Sequence, residues 1–240
     1  MENGKGPGKH RRRTVLTGAV PVLAAAAVLA SGLTARTLAA APQPAGQTGQ
    51  AGKAVHRVPT EDRVVFLTVD DGLKRHAGMI DLLRGSGIKA TLFLTGQYVR
   101  QDSGFFRRMR DRTGAVVENH TVGHPDLAGR PRALQHKEIC AASDRFEKVF
   151  GRRPTLLRPP YGSFDATTVQ VAAECGVKHL VHWSAEIAKG HIEFAAGDRL
   201  VPGDIVLMHF RDEFKEDIEA FIDQARKDGL TPALLEDYLK

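Results

Sequence analysis

Two adjacent carboxylates, Asp70 and Asp71, stand at the end of the apolar run 64–69 and are followed at once by Gly72. The run is typical of a buried strand, and two anions at the mouth of a water-poor core are costly unless a cation, hydrogen-bond donors or a shared proton compensates them. Because neighbouring strand residues point to opposite sides, we expect different tasks, for example one carboxylate on a metal ion and the other moving a proton. The alternative is structural, since Asp-Gly is also a common turn after a strand.

Two histidines four residues apart, His120 and His124, follow a second β-type run at residues 115–119. Gly123 and Pro125 favour a loop here, in which both imidazoles can face one point. Neutral imidazole binds divalent metals, and two histidines with one carboxylate form a catalytic arrangement with an open position. The alternative is a pair of solvent-exposed histidines in a turn. A zinc finger is excluded because the chain lacks the Cys-x2-Cys pair that it needs.

A third pattern is the rigid segment Arg-Pro-Pro-Tyr at residues 158–161, whose prolines hold the backbone extended. The backbone N–H of Tyr161 is the first donor after them and can serve an oxyanion, while the planar fork of Arg158 can orient a carboxylate. The alternative is a rigid loop with Tyr161 packed as a lid. A further apolar run at residues 205–208 ends in His209, and a lone histidine there is more often structural than catalytic.

Strands must position these side chains, because each pattern lies at the end of a strand-like run. Such runs recur at residues 64–69, 91–95, 115–118, 156–157, 179–182 and 205–209. Helical patterns occur at residues 77–83, 105–112, 132–150, 166–175 and 213–226, and residues 231–235, with Pro232 in the first turn, predict a last helix. Alternating elements imply an α/β fold with a parallel sheet inside outer helices, and functional residues at the carboxyl ends of strands suit a barrel.

The ordered set of motifs resembles a known family. Thr-Val-Asp-Asp-Gly (68–72), His-Thr-Val-Gly-His (120–124), Arg-Pro-Pro-Tyr (158–161) and Leu-Met-His (207–209) are similar to the motifs of polysaccharide deacetylases with the NodB-homology domain, carbohydrate esterase family four. The resemblance covers about residues 63–240. It implies a deformed (β/α) barrel with fewer than eight regular units, and metal-dependent removal of acetyl groups from sugar polymers.

The resemblance also implies a role for each motif residue. The implied set comprises a general base (Asp70), three metal ligands (Asp71, His120, His124), an arginine that orients the base (Arg158), an oxyanion donor (the Tyr161 N–H), a general acid (His209), a residue lining the acetyl pocket (Leu207) and an aromatic beside the acid (Trp183). Thr121 is expected to hydrogen-bond within the loop of the histidines. The implied cofactor is a divalent metal, most readily Zn²⁺, with Co²⁺, Ni²⁺ or Fe²⁺ as alternatives.

One motif departs from the family pattern. The family usually has an Asp, then Asp-Trp a few residues on, whereas this chain has Glu186 at the first acid and Lys189-Gly190 in place of Asp-Trp. The first acid is expected to pair with the catalytic histidine and tune its pKa. Glu186 is one methylene longer than Asp, and we expect it to reach His209. The aromatic wall that the family places beside it lacks its usual residue.

The first 41 residues resemble a twin-arginine export signal. The run Arg11-Arg12-Arg13 precedes an apolar segment at residues 15–33, and small residues at 39–41 suit a signal peptidase. An uncleaved membrane anchor is the alternative. Residues 42–60 are rich in Pro, Gly, Gln and Ala and predict a flexible linker, which leaves residues 61–240 as the catalytic domain. We therefore expect an extracytoplasmic protein that meets the membrane only through its leader.

Charge and cysteine content add two expectations. Of the 34 basic and 28 acidic residues, six and one lie in residues 1–41, so the remainder is nearly neutral and no nucleic-acid partner is expected. Cys140 and Cys175 both fall in predicted helices. In an exported protein they form either a disulfide or two buried thiols, and their spacing does not decide between these.

Three classes of function fit the sequence. The first is a deacetylase of N-acetylated, or O-acetylated, sugar polymers such as peptidoglycan, chitin oligomers or xylan. The second is a catalytically weak glycan-binding module, and the third is a metal hydrolase of another amide on the same fold. We favour the first, because every residue implied to contact the metal or the reacting atoms is present. A monomer is the expected oligomeric state.

Overall fold

The computed structural model describes residues 54–240, so the predicted leader and residues 42–53 of the predicted linker lie outside it. In this part of the chain the strands are β1 (Val64–Asp71), β2 (Thr91–Leu94), β3 (Val116–Asn119), β4 (Leu156–Leu157), β5 (His179–Leu180), β6 (Ala185–Ala188), β7 (His191–Phe194), β8 (Ile205–His209) and β9 (Thr231–Ala233). The α-helices are α1 (Ala77–Ser86), α2 (Gly96–Gln101), α3 (Ser103–Thr113), α4 (Arg132–Phe150), α5 (Ala166–Glu174) and α6 (Phe214–Lys227). Single 3₁₀ turns cover Pro160–Gly162 and Leu235–Asp237.

β1 is the central strand of the sheet. Its sequence is rich in apolar and β-branched residues, and six of its eight residues are buried, as expected for a strand covered on both faces. It pairs in parallel with β2 and β8, which places Asp70 beside Phe93 on one side and His209 on the other. The strand order is β5-β4-β3-β2-β1-β8-β6-β7, with β9 against the start of β1. Only β6 and β7 pair in antiparallel fashion among these strands of residues 54–240.

The two faces of β1 differ in polarity. On the outer face, alternate residues pack with apolar side chains of α1, α3 and α6: Val65, Leu67 and Val69. On the inner face, Phe66 lies in a second buried cluster together with Phe93. Because side chains alternate along a strand, the inner face continues with Thr68 and Asp70, so its polarity rises toward the carboxyl end. The polar end of this curled sheet is therefore where functional side chains collect.

This architecture confirms the predicted α/β fold, a deformed barrel of parallel strands with outer helices. The six predicted strands and the first five predicted helices are all present, and their ends lie within three residues of the predicted ones. The helix predicted at residues 132–150 is found with these bounds as α4. The short α2 and the hairpin of β6 and β7 were not predicted, because neither has a long periodic pattern.

The last predicted helix is wrong. Thr231–Ala233 form β9, which pairs with β1 so that Thr231 lies opposite Val64, and only a 3₁₀ turn follows at Leu235–Asp237. Pro232 has no N–H to donate, which a short strand of this kind tolerates. Leu235 is buried in the apolar cluster that contains Phe66 and Phe93. Pairing with β1 and burial of this leucine therefore override the local preference for a helix.

The folded part also begins before residue 61, so the predicted linker ends too late. The N–H of Val55 donates to the carbonyl of Leu180 at 2.8 Å, and the N–H of Val58 donates to the carbonyl of Gly203 at 2.8 Å. Val58 is buried. Gly203 has φ of 85°, and an added Cβ would lie 2.0 Å from the Val58 carbonyl oxygen, so only glycine fits. Composition described the stretch as a spacer, whereas its valines pair with the sheet.

Cys140 and Cys175 form a disulfide, which resolves the alternative left open by their spacing. The bond joins the middle of α4 to the residue that follows α5, and both cysteines lie in an apolar cluster between these helices. It therefore ties together two outer helices that flank β3 and β4. Within residues 54–240, no helix has both the length and the apolar character needed to span a bilayer.

Candidate metal centre and active site

The carboxyl end of β1 presents both predicted carboxylates to the same imidazole. In a regular strand they would point to opposite faces. Asp71, however, has φ of 74°, a left-handed conformation that is uncommon outside glycine. As a result Asp70 Oδ2 and Asp71 Oδ1 each lie 3.7 Å from Nε2 of His120. The next residue, Gly72, has no room for a side chain, because an added Cβ would lie 2.6 Å from the ring of Phe106.

The two histidines lie in a loop directly after β3, as Gly123 and Pro125 predicted. Nε2 of His124 lies 3.5 Å from Asp71 Oδ1. One ligand atom from each of Asp71, His120 and His124 lies within 4.8 Å of the others, so the three can hold one metal ion. The fold thus brings together the three residues that the sequence analysis assigned to the metal.

A backbone carbonyl sets the tautomer of His120. Its Nδ1 lies 2.7 Å from the carbonyl oxygen of Arg158. Because a carbonyl oxygen only accepts, Nδ1 carries the hydrogen and Nε2 keeps its lone pair for a ligand bond. Burial lowers the pKa of His120 to about 3, so the ring is neutral at physiological pH. Both properties suit a metal ligand.

Short-range hydrogen bonds shape the histidine loop. Oγ1 of Thr121 accepts from the N–H of His124 at 3.0 Å, which is the hydrogen bond expected within the loop. The N–H of Thr121 donates to Oδ1 of Asn119 at 2.7 Å. Nδ2 of Asn119 donates to the carbonyl of Ile139 at 2.9 Å and to Oγ of Ser143 at 2.8 Å, both on α4. Asn119 therefore connects the loop to helix α4. The sequence analysis missed this role, although asparagine side chains often form hydrogen bonds with nearby backbone groups.

A further residue of α4, Glu138, supports the same loop and was also missed. Oε2 of Glu138 accepts from the N–H of Val122 at 3.0 Å and from the N–H of Gly123 at 2.7 Å. The partners are 16 and 15 residues apart, and glutamate in a helix is ordinarily a solvated surface residue. No local pattern in the sequence could have identified it.

Arg158 orients the carboxylate of Asp70. It is completely buried, and its Nη1 donates to Asp70 Oδ1 at 2.7 Å and to Thr68 Oγ1 at 2.8 Å. Its Nη2 donates to the carbonyl of His182 at 2.9 Å, and the guanidinium carbon lies 4.4 Å from the centre of the Phe93 ring. The arginine thus orients the carboxylate as its planar fork predicted.

The electrostatics of the two carboxylates favour a nearby cation. Burial raises the pKa of Asp70, against the opposing effect of Arg158. Burial also raises the pKa of Asp71, while His120 lowers it and the neighbouring Asp70 raises it further. Two desolvated acids this close are costly as anions, and a divalent ion would stabilise both in the charged form.

Tyr161 forms an exposed rim beside the histidines. It follows the two prolines with φ of 59°, and the residue is 71% exposed. Its ring packs edge-on against the ring of His124, with 4.7 Å between the ring centres. The ring is therefore on the surface rather than packed as a lid. The Pro-Pro segment fixes the direction of the Tyr161 N–H, which remains the predicted oxyanion donor.

His209 lies at the end of β8, directly beside Asp70 in the strand register. Its Nδ1 is buried and has no hydrogen-bond partner within residues 54–240, although Glu186 Oε1 lies 3.9 Å away. Glu186 is therefore near enough for an ion pair but too far for a hydrogen bond. Burial lowers the pKa of His209 to about 4, opposed by Asp70. At neutral pH the imidazole is neutral, so a proton that it delivers must reach it during the reaction.

Two further predicted substrate contacts, Leu207 and Trp183, lie in different parts of the sheet. Leu207 is buried on β8, two residues before His209 and therefore on the same face. Trp183 follows β5, and its ring centre lies 5.7 Å from the guanidinium carbon of Arg158 and 5.7 Å from the ring of His182. The tryptophan thus packs against the arginine that holds Asp70.

A tight turn stands where the family carries Asp-Trp. Lys189 and Gly190 join β6 to β7 with φ of 55° and 72°, the left-handed pair typical of a two-residue hairpin. The N–H of Gly190 donates to Asp217 Oδ1 at 2.8 Å, which fixes the turn to α6. In the register of this hairpin Glu186 lies opposite Glu193. This turn therefore stands where the resemblance places the aromatic wall.

Backbone strain concentrates at this site. Among the described residues, five other than glycine have positive φ, and four of them lie in the motif loops: Asp71, Thr121, His124 and Tyr161. Such conformations persist where the surrounding structure enforces them, and they cluster at functional sites. Their distribution is an independent reason to place the active site here.

Comparison with known proteins agrees with this geometry. A profile of the polysaccharide deacetylase family matches residues 57–180. An uncharacterised protein of Streptomyces coelicolor is 39% identical over 77% of this chain and 76% of its own length. A peptidoglycan-N-acetylmuramic acid deacetylase of Bacillus subtilis is 27% identical over 75% of this chain and 73% of its own. The structure of a family 4 carbohydrate esterase from Bacillus anthracis superposes with a TM-score of 0.66 at 26% identity, over 80% of this chain and 95% of that one. The chain therefore belongs to the polysaccharide deacetylase family, carbohydrate esterase family 4, and is a deacetylase of the hydrolase class.

Proposed function

We propose that this protein is an exported, metal-dependent enzyme that hydrolyses N-acetyl groups of cell-wall glycans. The observation that carries the proposal is the convergence of Asp71, His120 and His124 beside Asp70, a second carboxylate that Arg158 holds in a fixed orientation. A ligand set and a separately positioned base are the two parts that metal-assisted amide hydrolysis requires.

The donor atoms suit a divalent ion. Two imidazole nitrogens and one carboxylate oxygen are typical ligands of catalytic Zn²⁺, and His120 already has the required tautomer. Co²⁺, Ni²⁺ and Fe²⁺ accept similar ligands, so we propose Zn²⁺ first and these as alternatives. A metal ion held there supplies Lewis acidity, which activates water and polarises the amide carbonyl.

Side chains and one backbone N–H of the protein perform the remaining steps. Asp70 takes the proton of the attacking water, and Arg158 keeps the carboxylate in line for this transfer. The N–H of Tyr161 stabilises the negative charge that develops on the carbonyl oxygen. The proton taken by Asp70 is passed to His209, which lies beside it in the strand register and delivers it to the departing amine nitrogen. Glu186, 3.9 Å from Nδ1 of His209, stabilises the imidazolium while it carries the proton.

Peptidoglycan is the proposed substrate, with chitin oligomers and acetylated xylan as alternatives. The named Bacillus subtilis relative is a peptidoglycan-N-acetylmuramic acid deacetylase. The exposed Tyr161 and Leu73, 71% and 45% exposed, offer apolar surface for sugar rings near the site. The leader of residues 1–41 would deliver the enzyme to the cell wall, and replacing Arg12 and Arg13 by Lys would then leave it unexported.

Acetate release from purified protein tests the proposal. Metal-depleted protein and protein reloaded with Zn²⁺ or Co²⁺ are incubated with peptidoglycan, chitin oligomers and acetylated xylan, with His120→Ala as the control. We expect acetate only from the reloaded protein. Bound metal without acetate from any of the three polymers would refute the deacetylase and favour another amide substrate or a glycan-binding module.

A further inference from the structure

The histidine loop, residues 120–125, is held from outside by one side chain that the catalytic scheme does not use. We propose that Glu138 is a positioning residue for metal binding, because it holds the backbone between His120 and His124 in the shape that aims both rings at one ion. The inference rests on the proposed metal-dependent function and deepens it.

The contacts are specific in kind and in place. A single carboxylate oxygen of Glu138 accepts two successive N–H groups, from Val122 at 3.0 Å and from Gly123 at 2.7 Å. Hydrogen bonds to a carboxylate are about twice as strong as those between neutral groups. Because these two residues lie between the histidines, any shift of their backbone moves at least one ring.

The loop needs such support because its own backbone is strained. Thr121 and His124, on either side of the Glu138 contacts, have φ of 67° and 63°. Left-handed conformations of non-glycine residues persist only where surrounding contacts enforce them. The hydrogen bonds made by the side chains of Asn119 and Thr121 lie within the loop or at its start. Glu138 instead reaches the middle of the loop from helix α4.

The anchor of this support is itself fixed. Two residues after Glu138, Cys140 joins α4 to the end of α5 through the disulfide. The adjacent Ile139 accepts a hydrogen bond from Asn119 at 2.9 Å. The loop therefore has two attachments to one rigid stretch of α4, through Asn119 and through Glu138. The N–H groups of Gly96 and Gln97 on α2 bond the carbonyls of Thr121 and Val122 at 2.9 and 2.8 Å, whereas Glu138 fixes the N–H groups of Val122 and Gly123.

Metal affinity measured without substrate tests the proposal. Glu138→Ala, Glu138→Gln and the control Lys137→Ala, an exposed neighbour on α4, are prepared metal-free. Zn²⁺ affinity is measured by chelator competition, the Co²⁺ complex by its visible absorption, and the metal-free protein by its melting temperature. We expect Glu138→Ala to bind Zn²⁺ about 10- to 100-fold more weakly, the range for residues that orient metal ligands. Glu138→Gln keeps an acceptor oxygen and should lose less, and Lys137→Ala should match the wild type.

The outcomes separate this proposal from the proposed function. Zn²⁺ affinity of Glu138→Ala equal to that of the wild type would overturn the positioning role, even if the melting temperature fell. A wild type that binds no metal would instead overturn the metal-dependent function. If Glu138→Ala does not fold, Glu138→Gln decides: we expect faster amide exchange at Val122 and Gly123 with weaker Zn²⁺ binding, and wild-type values of both would refute the proposal.

Discussion

Asp70→Asn separates the proposed base from the proposed metal ligands. The substitution changes one atom and keeps the shape of the side chain, so Arg158 can still donate to the remaining oxygen. Asp70 Oδ1 is held by Arg158 at 2.7 Å, whereas the ligand atoms of the candidate metal site belong to Asp71 and the two histidines. We therefore expect the variant to retain metal and to lose turnover.

The structure sets the size of both effects. Loss of a positioned base costs about 10²- to 10⁴-fold in rate. Arg158 is completely buried and would lose its charged partner, and breaking such a pair destabilises proteins by about 3–5 kcal/mol. Thr68 and the carbonyl of His182 still accept from the guanidinium, which favours the lower end of that range.

Three measurements on one preparation check this prediction: metal content, rate of acetate release, and free energy of unfolding in urea. His120→Ala is the matched control, since it should lose metal and activity together. Turnover of Asp70→Asn within a few-fold of the wild type would show that Asp70 is not the base. Loss of metal by Asp70→Asn would show that it is a ligand instead.

Three further predictions concern other groups. Burial raises the pKa of Glu236 to about 8 from an ordinary value of 4.5, so the folded state holds this proton more tightly than the unfolded state. Stability therefore falls as the pH rises from about 4.5 to about 8. Urea unfolding at pH 5, 7 and 9 should show Glu236→Gln more stable than the wild type by a few kcal/mol at pH 9 and close to it at pH 5, and an equal difference at all three pH values would contradict the assignment. Glu186→Gln should lower kcat for acetate release roughly tenfold or more with little change in metal content, because it removes the carboxylate 3.9 Å from His209; an unchanged kcat would rule out its role beside the acid. Cys140→Ser together with Cys175→Ser should cost about 4 kcal/mol in the free energy of unfolding, as the loss of a link between residues 35 apart implies, and unchanged stability would show that the link does not contribute.

Local patterns in the sequence were sufficient for the six predicted strands, for five of the helices and for the motif residues. The continuous apolar and β-branched run of β1 predicted a buried strand, and the long helical pattern of α4 predicted a helix, because burial on one or two faces leaves a signature in the local sequence. Gly123 and Pro125 predicted the loop of the histidines because these residues restrict the backbone locally.

Pairings between distant segments were not visible in the sequence. Residues 231–233 of the predicted last helix form a strand because they pair with the first residues of β1. Residues 54–60 are folded because the N–H of Val58 donates to the carbonyl of Gly203. The disulfide between Cys140 and Cys175 depends on how α4 packs against α5. Each outcome is set by a partner far along the chain.

The sequence by itself determined which residue types lie at the carboxyl ends of the strands, since these follow from strand periodicity and turn chemistry. Only the tertiary structure decided that Asp70 and Asp71 face one imidazole, because the left-handed backbone at Asp71 cancels the alternation of the strand. It alone revealed Glu138, whose two hydrogen bonds join residues that are 16 and 15 positions apart in the chain. Strain and long-range hydrogen bonds depend on the whole packed chain, and no local window of sequence contains them.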